Sequence, residues 1–266
     1  MGGGTDGWVN SLSDFTLNQY VDVIENLRLP LRLKILAGIH YIGKRALGKI
    51  LKNGRKIWED KFQRFLNHGG IYAMRQSALV NVFPSKEKTI YCRGRFEAHD
   101  YFDSVREQLL DDFTPIHAPL VHNKNLYKQI LNTESVCITI RRGDFLDKGN
   151  EAFNVCTPDY FYQAMKNIKE EIPECKFFVF SDAIEEIKQI MNFPYEVEYE
   201  WGNDPVWEKL RLMYSCRHFI ISNSTFSWWA QYLSRNDNKI VYAPQKWRLG
   251  DEDCSGMYLD YMRFVE

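Results

Sequence analysis

Hydrophobic and polar positions follow two different rhythms along this chain. Up to Phe65 the apolar residues recur at steps of three and four among many basic ones, a spacing that predicts helices from about Leu17 to Phe65. Residues 1–15 are polar and glycine-containing and predict an irregular start. A short strand over Thr89–Arg93 and a helix over Ala98–Phe113 with acids on its outer side come next. A link through Pro115 and Pro119 then leads to a short helix over Leu126–Asn132.

From Val136 the rhythm becomes regular. Short runs dominated by β-branched and aromatic residues predict strands at 136–140, 176–180, 196–200, 218–221 and 239–242. Helical patterns fall between them at 158–171, 184–191, 205–215 and 225–234, the first opened by Thr157 as N-cap and Pro158 in the first turn. Strands alternating with helices predict an α/β fold with a parallel sheet.

At 266 residues the chain is long enough for one large or two small domains. A net charge of −1 with 26% charged residues provides no global field for nucleic acid. The cysteines (Cys92, Cys137, Cys156, Cys175, Cys216 and Cys254) are scattered without a CxxC pair. That pattern favours a reducing cytoplasm over a disulfide framework. No apolar run approaches the ~20 residues that span a bilayer, and no signal peptide is expected ahead of the fold. The charge is nevertheless uneven. Between Arg28 and Arg64 stand eleven basic residues against Glu59 and Asp60 alone, interleaved with leucines and isoleucines. Such a basic amphipathic segment either lies on an anionic membrane surface, peripheral to its inner face, or packs on its own domain with a solvated basic face.

Polar residues stand just past three of the predicted strands. Arg141 and Arg142, with Gly143 and Asp144, end the first run; Ser181-Asp182 ends the second; Ser222-Asn223-Ser224 ends the fourth. In an open parallel sheet, ligands bind beyond the carboxyl ends of the strands. Cations, an acid and hydroxyls therefore arrive at one rim. The arginine forks match phosphate oxygens, the alternative being ion pairs with neighbouring surface acids. Ser222–Ser227 opens a helix whose first N–H groups would face the rim, as an anion site or as a plain N-cap. Asp182 can accept two hydrogen bonds from the edge of a guanine base, or cap the helix behind it. Trp228 and Trp229 read as packing residues. The sequence has no GxxxxGK[ST] loop, no GxGxxG after a strand and no DxD pair at a strand end. Arginines and a helix terminus are thereby favoured over a divalent cation for neutralising a diphosphate. Arg142-Gly143-Asp144 spells an adhesion tripeptide, but it directly follows a buried strand.

These residues resemble a known set. Ile138-Thr139-Ile140-Arg141-Arg142-Gly143-Asp144 is similar to the HxRRGD motif of the α-1,2-fucosyltransferase family (glycosyltransferase family 11). Phe178-Val179-Phe180-Ser181-Asp182 resembles its second motif, Ser222 through Ala230 its SFSWW signature, and Tyr242-Ala243-Pro244-Gln245-Lys246-Trp247 its usual close. The resemblance implies a GT-B architecture of two Rossmann-like domains. Residues 126–266 would be the domain that binds the GDP-sugar, and residues 1–125 a largely helical acceptor-side region. It also implies inverting transfer of L-fucose from GDP-fucose to the 2-hydroxyl of a galactose-containing glycan or lipid-linked acceptor, with no metal required. By position, Arg141 would neutralise the β-phosphate with Arg142 beside it, and Asp182 would recognise guanine. Ser222, Asn223, Ser224 and Ser227 would line the diphosphate, while Asp144 would orient the arginines.

The likeness has two departures. Thr139 stands where the family keeps a histidine, and the N-terminus has neither the family's opening strand nor its GGxGNQ loop. The expectation is a truncated product, or an acceptor side rebuilt from the basic helical segment. Asp144, Asp147 and Glu151 are the acids nearest the first motif and so the candidates for the acceptor base. The rival functions are a non-catalytic GDP-sugar- or glycan-binding protein, and a transferase that uses another GDP-sugar.

Overall fold

The computed structural model describes residues 11–19, 31–51, 54–74, 86, 90–94, 96–143, 148–250 and 254–265. Asp144 and Asp147 lie outside the described residues, as do Thr89 and the stretches 1–10 and 20–30. The chain forms two compact units, one of residues 24–101 and one of residues 1–23 with 102–266.

In the smaller unit, helix α1 (Leu31–Ile50) packs on α2 (Gly54–His68). Glycine at position 43 admits the Trp58 indole, since a Cβ there would stand 2.0 Å from the ring. Phe62 stacks on both His40 and Trp58, at 5.2 and 5.1 Å between ring centroids. Strand β1 (Ile71–Met74) then pairs in parallel with β2 (Tyr91–Gly94). Four residues behind Gly69-Gly70 are too short a run to predict a strand from the sequence.

The larger unit carries α3 (Arg106–Asp112), α4 (Lys124–Leu131), β3 (Ser135–Ile140), α5 (Pro158–Glu171), β4 (Lys176–Ser181) and α6 (Ile184–Ile190). It continues through β5 (Val197–Tyr199), α7 (Val206–Tyr214), β6 (His218–Ile220), α8 (Thr225–Tyr232), β7 (Val241–Tyr242) and β8 (Met262–Arg263). The predicted strands and helices from Val136 onward are all present; β8 is an addition.

The sequence places a domain boundary near residue 125, but the larger compact unit reaches back to Phe102. That ring stacks on Trp229 at 5.0 Å and meets Trp228 and Tyr232 edge-on. Phe102 also breaks the helix expected over Ala98–Phe113, leaving two 3-10 turns, His99–Tyr101 and Asp103–Val105, ahead of α3. Residues 11–19 belong here too, with 3-10 turns at Leu12–Asp14 and Thr16–Gln19; the rest of the expected irregular start lies outside the described residues. Phe15 is buried and bridges Pro115, and the Thr16 hydroxyl donates to the Asp111 and Thr114 carbonyls.

All six strands are parallel, in the order β5-β4-β3-β6-β7-β8. Every residue of β3 is buried, which explains why it reads as one continuous apolar run. Val136, Ile138 and Ile140 meet Phe161, Met165 and Ile187 of α5 and α6 on one face. Cys137 meets Phe178, Leu212 and Trp228 on the other. Chain order runs outward from β3 in both directions, so it reverses between β3 and β6. This is the Rossmann strand order, and in such sheets ligands bind beyond the strand ends at that reversal. The register sets Ile140 beside Ser181 and Ile138 beside Ile220. Arg141, Asp182 and Ser222 therefore follow three strands that end on one edge.

Candidate functional site

At this edge the first and second motifs lock together. Arg141 Nη1 lies 3.1 Å from Asp182 Oδ2, and the Arg142 backbone N–H donates to Asp182 Oδ1 at 2.9 Å. Arg142 Nη2 pairs with Glu186 Oε1 on α6 at 2.5 Å. Its Nε is buried and has no hydrogen-bond partner among the described residues. Gly143 allows this closeness: a Cβ there would stand 2.5 Å from Asp182 Oδ2. Its φ is not positive, so the glycine serves the approach and not a turn.

Asp182 does not cap the helix behind it. Ala183 holds the N-cap position of α6, and its N–H donates to Ser181 Oγ at 3.0 Å. Among the described residues, Asp182 and Glu186 hold the arginines; Asp144, to which the resemblance gives that task, lies outside them. Glu186 went unnoticed in the sequence. Its signal was its place one helical turn beyond Asp182, on the same rim.

The Ser181-Asp182 turn rests on the buried Glu200 and the half-buried Lys209. Glu200 Oε1 accepts the Ser181 N–H at 3.0 Å and faces Lys209 Nζ at 3.1 Å, while Lys209 also donates to the Ser181 carbonyl at 3.3 Å. Burial pushes the Glu200 carboxyl above its ordinary range, with Lys209 opposing.

The third motif follows β6 at the same edge. Thr139 Oγ1 accepts the buried Ser222 N–H at 3.1 Å, so the residue that replaces the family histidine ties β3 to the next strand across the reversal. The Ser222 and Ser227 hydroxyls lie 3.2 Å apart. Ser224 takes the N-cap position of α8 without a side-chain bond to the helix. Asn223 is committed differently. Its amide donates to the Phe153 and Trp247 carbonyls, both at 2.9 Å, and accepts from Cys156 Sγ. Both amide hydrogens are thereby used to staple the rim loops together. Trp228 and Trp229 pack as expected; the Trp228 indole is buried, stacks on Tyr232 at 4.8 Å and donates to the Met257 carbonyl.

Of the three acids nearest the first motif, only Glu151 is described. It is exposed, and the backbone N–H groups of Glu151 and Gly149 hold its carboxyl below the usual range. Among the described residues no group of three His, Cys, Asp or Glu is placed to hold a metal ion, and no helix is long and apolar enough to cross a membrane.

Known proteins resemble this chain in sequence. An α-1,2-colitosyltransferase of Escherichia coli is 34% identical over 160 residues, covering 58% of this chain and 54% of that protein. The chain thus spans little more than half the length of that relative. The O-antigen biosynthesis glycosyltransferase WbnK of Escherichia coli is 26% identical over 254 residues, 89% of this chain and 80% of that one. The crystal structure of POFUT1 in complex with GDP-fucose superposes with a TM-score of 0.38 at 15% identity, over 73% of this chain and 59% of the other. The family model for glycosyl transferase family 11 matches residues 28–251, which include the whole rim described above. The chain belongs to glycosyl transferase family 11.

Proposed function

We propose that this protein is an inverting glycosyltransferase of glycan or surface-polysaccharide synthesis that moves L-fucose from GDP-fucose to the 2-hydroxyl of a galactose-type acceptor. The observation that carries the reading is the convergence at one sheet edge of Arg141, Arg142 with a buried Nε unpartnered among the described residues, Asp182 and the α8 terminus. That set supplies donors where a diphosphate leaves and positive potential where negative charge develops. The membership in family 11 and the likeness to an α-1,2-colitosyltransferase support the α-1,2 linkage.

In the proposed step the acceptor oxygen attacks the anomeric carbon as its proton passes to a base and the bond to the β-phosphate oxygen breaks. Arg141 neutralises that phosphate, with Arg142 and the hydroxyls of Ser222, Ser224 and Ser227 beside it. These groups carry the charge, so no metal is required. Asp182 has acceptor sites left for the guanine edge after serving Arg141 and Arg142. Asn223 shapes the rim.

A second reading is favoured by the colitosyltransferase relative: the same transfer with a different activated sugar. Incubation with GDP-fucose, GDP-mannose and an activated colitose, each with galactose-terminated acceptors, separates the readings by product linkage. A fucosyl-α-1,2-galactose product supports the first. GDP binding with neither transfer nor slow donor hydrolysis would make the protein a non-catalytic GDP-sugar binder.

A further inference from the structure

Helix α1 has two apolar faces, and among the described residues only one is covered. The inner face meets α2 through His40 and the Gly43–Trp58 contact. The outer face carries Leu31, Ile35, Ile39, Ile42, Ala46 and Ile50, at steps of four, four, three, four and four, which places them on one continuous stripe. All six are exposed, Leu31, Ile42 and Ile50 at 72%, 68% and 77%. Over its 20 residues the helix is about 30 Å long, so the stripe is a ridge and not an isolated patch.

The charge around this ridge decides what covers it. Lys34, Arg45 and Lys49 are exposed along its border, and α1 contains no acid. The stretch from Arg28 to Arg64 holds eleven basic residues and two acids, a net +9, in a chain whose total is −1. Two copies of the ridge would bring these like charges together, which disfavours self-association through it. The helix is too polar to cross a bilayer. An exposed apolar ridge bordered by lysine and arginine matches the interface between lipid headgroups and acyl chains of an anionic membrane.

We propose that α1 is a membrane-surface helix that binds anionic lipid bilayers in the plane of the interface. Binding at the surface would hold the enzyme where lipid-linked acceptors are presented. The inference does not rest on the transfer reaction, and either can fail without the other.

The test is flotation of the full chain with phosphatidylcholine vesicles and with vesicles that also contain phosphatidylglycerol. The protein is expected to float with the anionic vesicles at low salt, to be released as salt is raised, and to stay free of the neutral ones. Ile39→Asp/Ile42→Asp is expected to lower the bound fraction at least tenfold, because charge is placed in the buried strip. Lys34→Glu/Arg45→Glu/Lys49→Glu is expected to abolish the preference for anionic lipid. Unchanged GDP affinity and circular dichroism in both variants show that the fold is intact. Absence of binding to anionic vesicles, or equal binding by the stripe variant, overturns the proposal. So does a dimer in light scattering that Ile39→Asp/Ile42→Asp dissolves, since a second copy would then cover the ridge.

Discussion

Gly143→Ala is a small change with a large expected effect. An added Cβ would stand 2.5 Å from Asp182 Oδ2 and 3.3 Å from its Cγ, so the carboxylate must move. The backbone at 143 tolerates alanine, because its φ is not positive. The cost is therefore what Asp182 releases: the pair with Arg141 and the bond from the Arg142 N–H. The ion pair is partly exposed, 31% and 24% on its two side chains, so it contributes ~1 kcal/mol or less. The backbone bond to the carboxylate adds about 1 kcal/mol. A stability loss of about 1–2 kcal/mol follows from these contributions, measurable from urea unfolding midpoints. An Arg141 that loses its contact with Asp182 is also mispositioned, and GDP affinity should fall roughly tenfold, or ~1.4 kcal/mol, by calorimetry. The double-mutant cycle is the stricter check. In an Asp182→Ala background the obstructing oxygen is gone, so Gly143→Ala should then cost almost nothing. Equal costs in both backgrounds would refute the close-approach argument.

Two further outcomes test other parts of the molecule. Thr139→Val leaves the Ser222 N–H buried without its acceptor and is expected to destabilise by about 1–3 kcal/mol, whereas Thr139→Ser keeps the bond and most of the stability; equal urea midpoints for Val and Ser would contradict the bridging role. Burial, reinforced by Arg106, lowers Lys239 from 10.5 to about 8. Between those values the unfolded chain binds more protons, so this group makes stability rise with pH from about 8 to 10.5; Lys239→Met should flatten that limb, and an unaltered slope would assign it elsewhere.

The Rossmann-like half was legible because its physics is local. Strands buried on both faces read as unbroken runs such as Val136–Ile140, and Thr157-Pro158 announces α5, where the Thr157 hydroxyl accepts the Tyr160 N–H. The rim residues were legible because polar side chains directly after such strands have few places to go. What escaped depends on long-range contact. Phe102 joins the larger unit through aromatic partners more than a hundred residues away, and β8 pairs only because β7 is already placed. Asp182 could be read as a base reader or a cap; its observed partners, Arg141 and Arg142, are set by strand register, which no single strand encodes. The commitment of Asn223 to Phe153 and Trp247 is equally invisible in the run Ser222-Asn223-Ser224.

Calorimetric titration of GDP and GMP into wild type, Arg141→Ala and Arg141→Lys tests the diphosphate clamp most directly. The account predicts that GDP binds wild type more tightly than GMP, because the β-phosphate meets Arg141. Arg141→Ala should weaken GDP by more than ~1.5 kcal/mol, over tenfold, while leaving GMP nearly unchanged. Arg141→Lys should fall between, since it keeps the charge and loses the fork. A GDP affinity that ignores Arg141→Ala would remove the phosphate from this rim and the central claim with it.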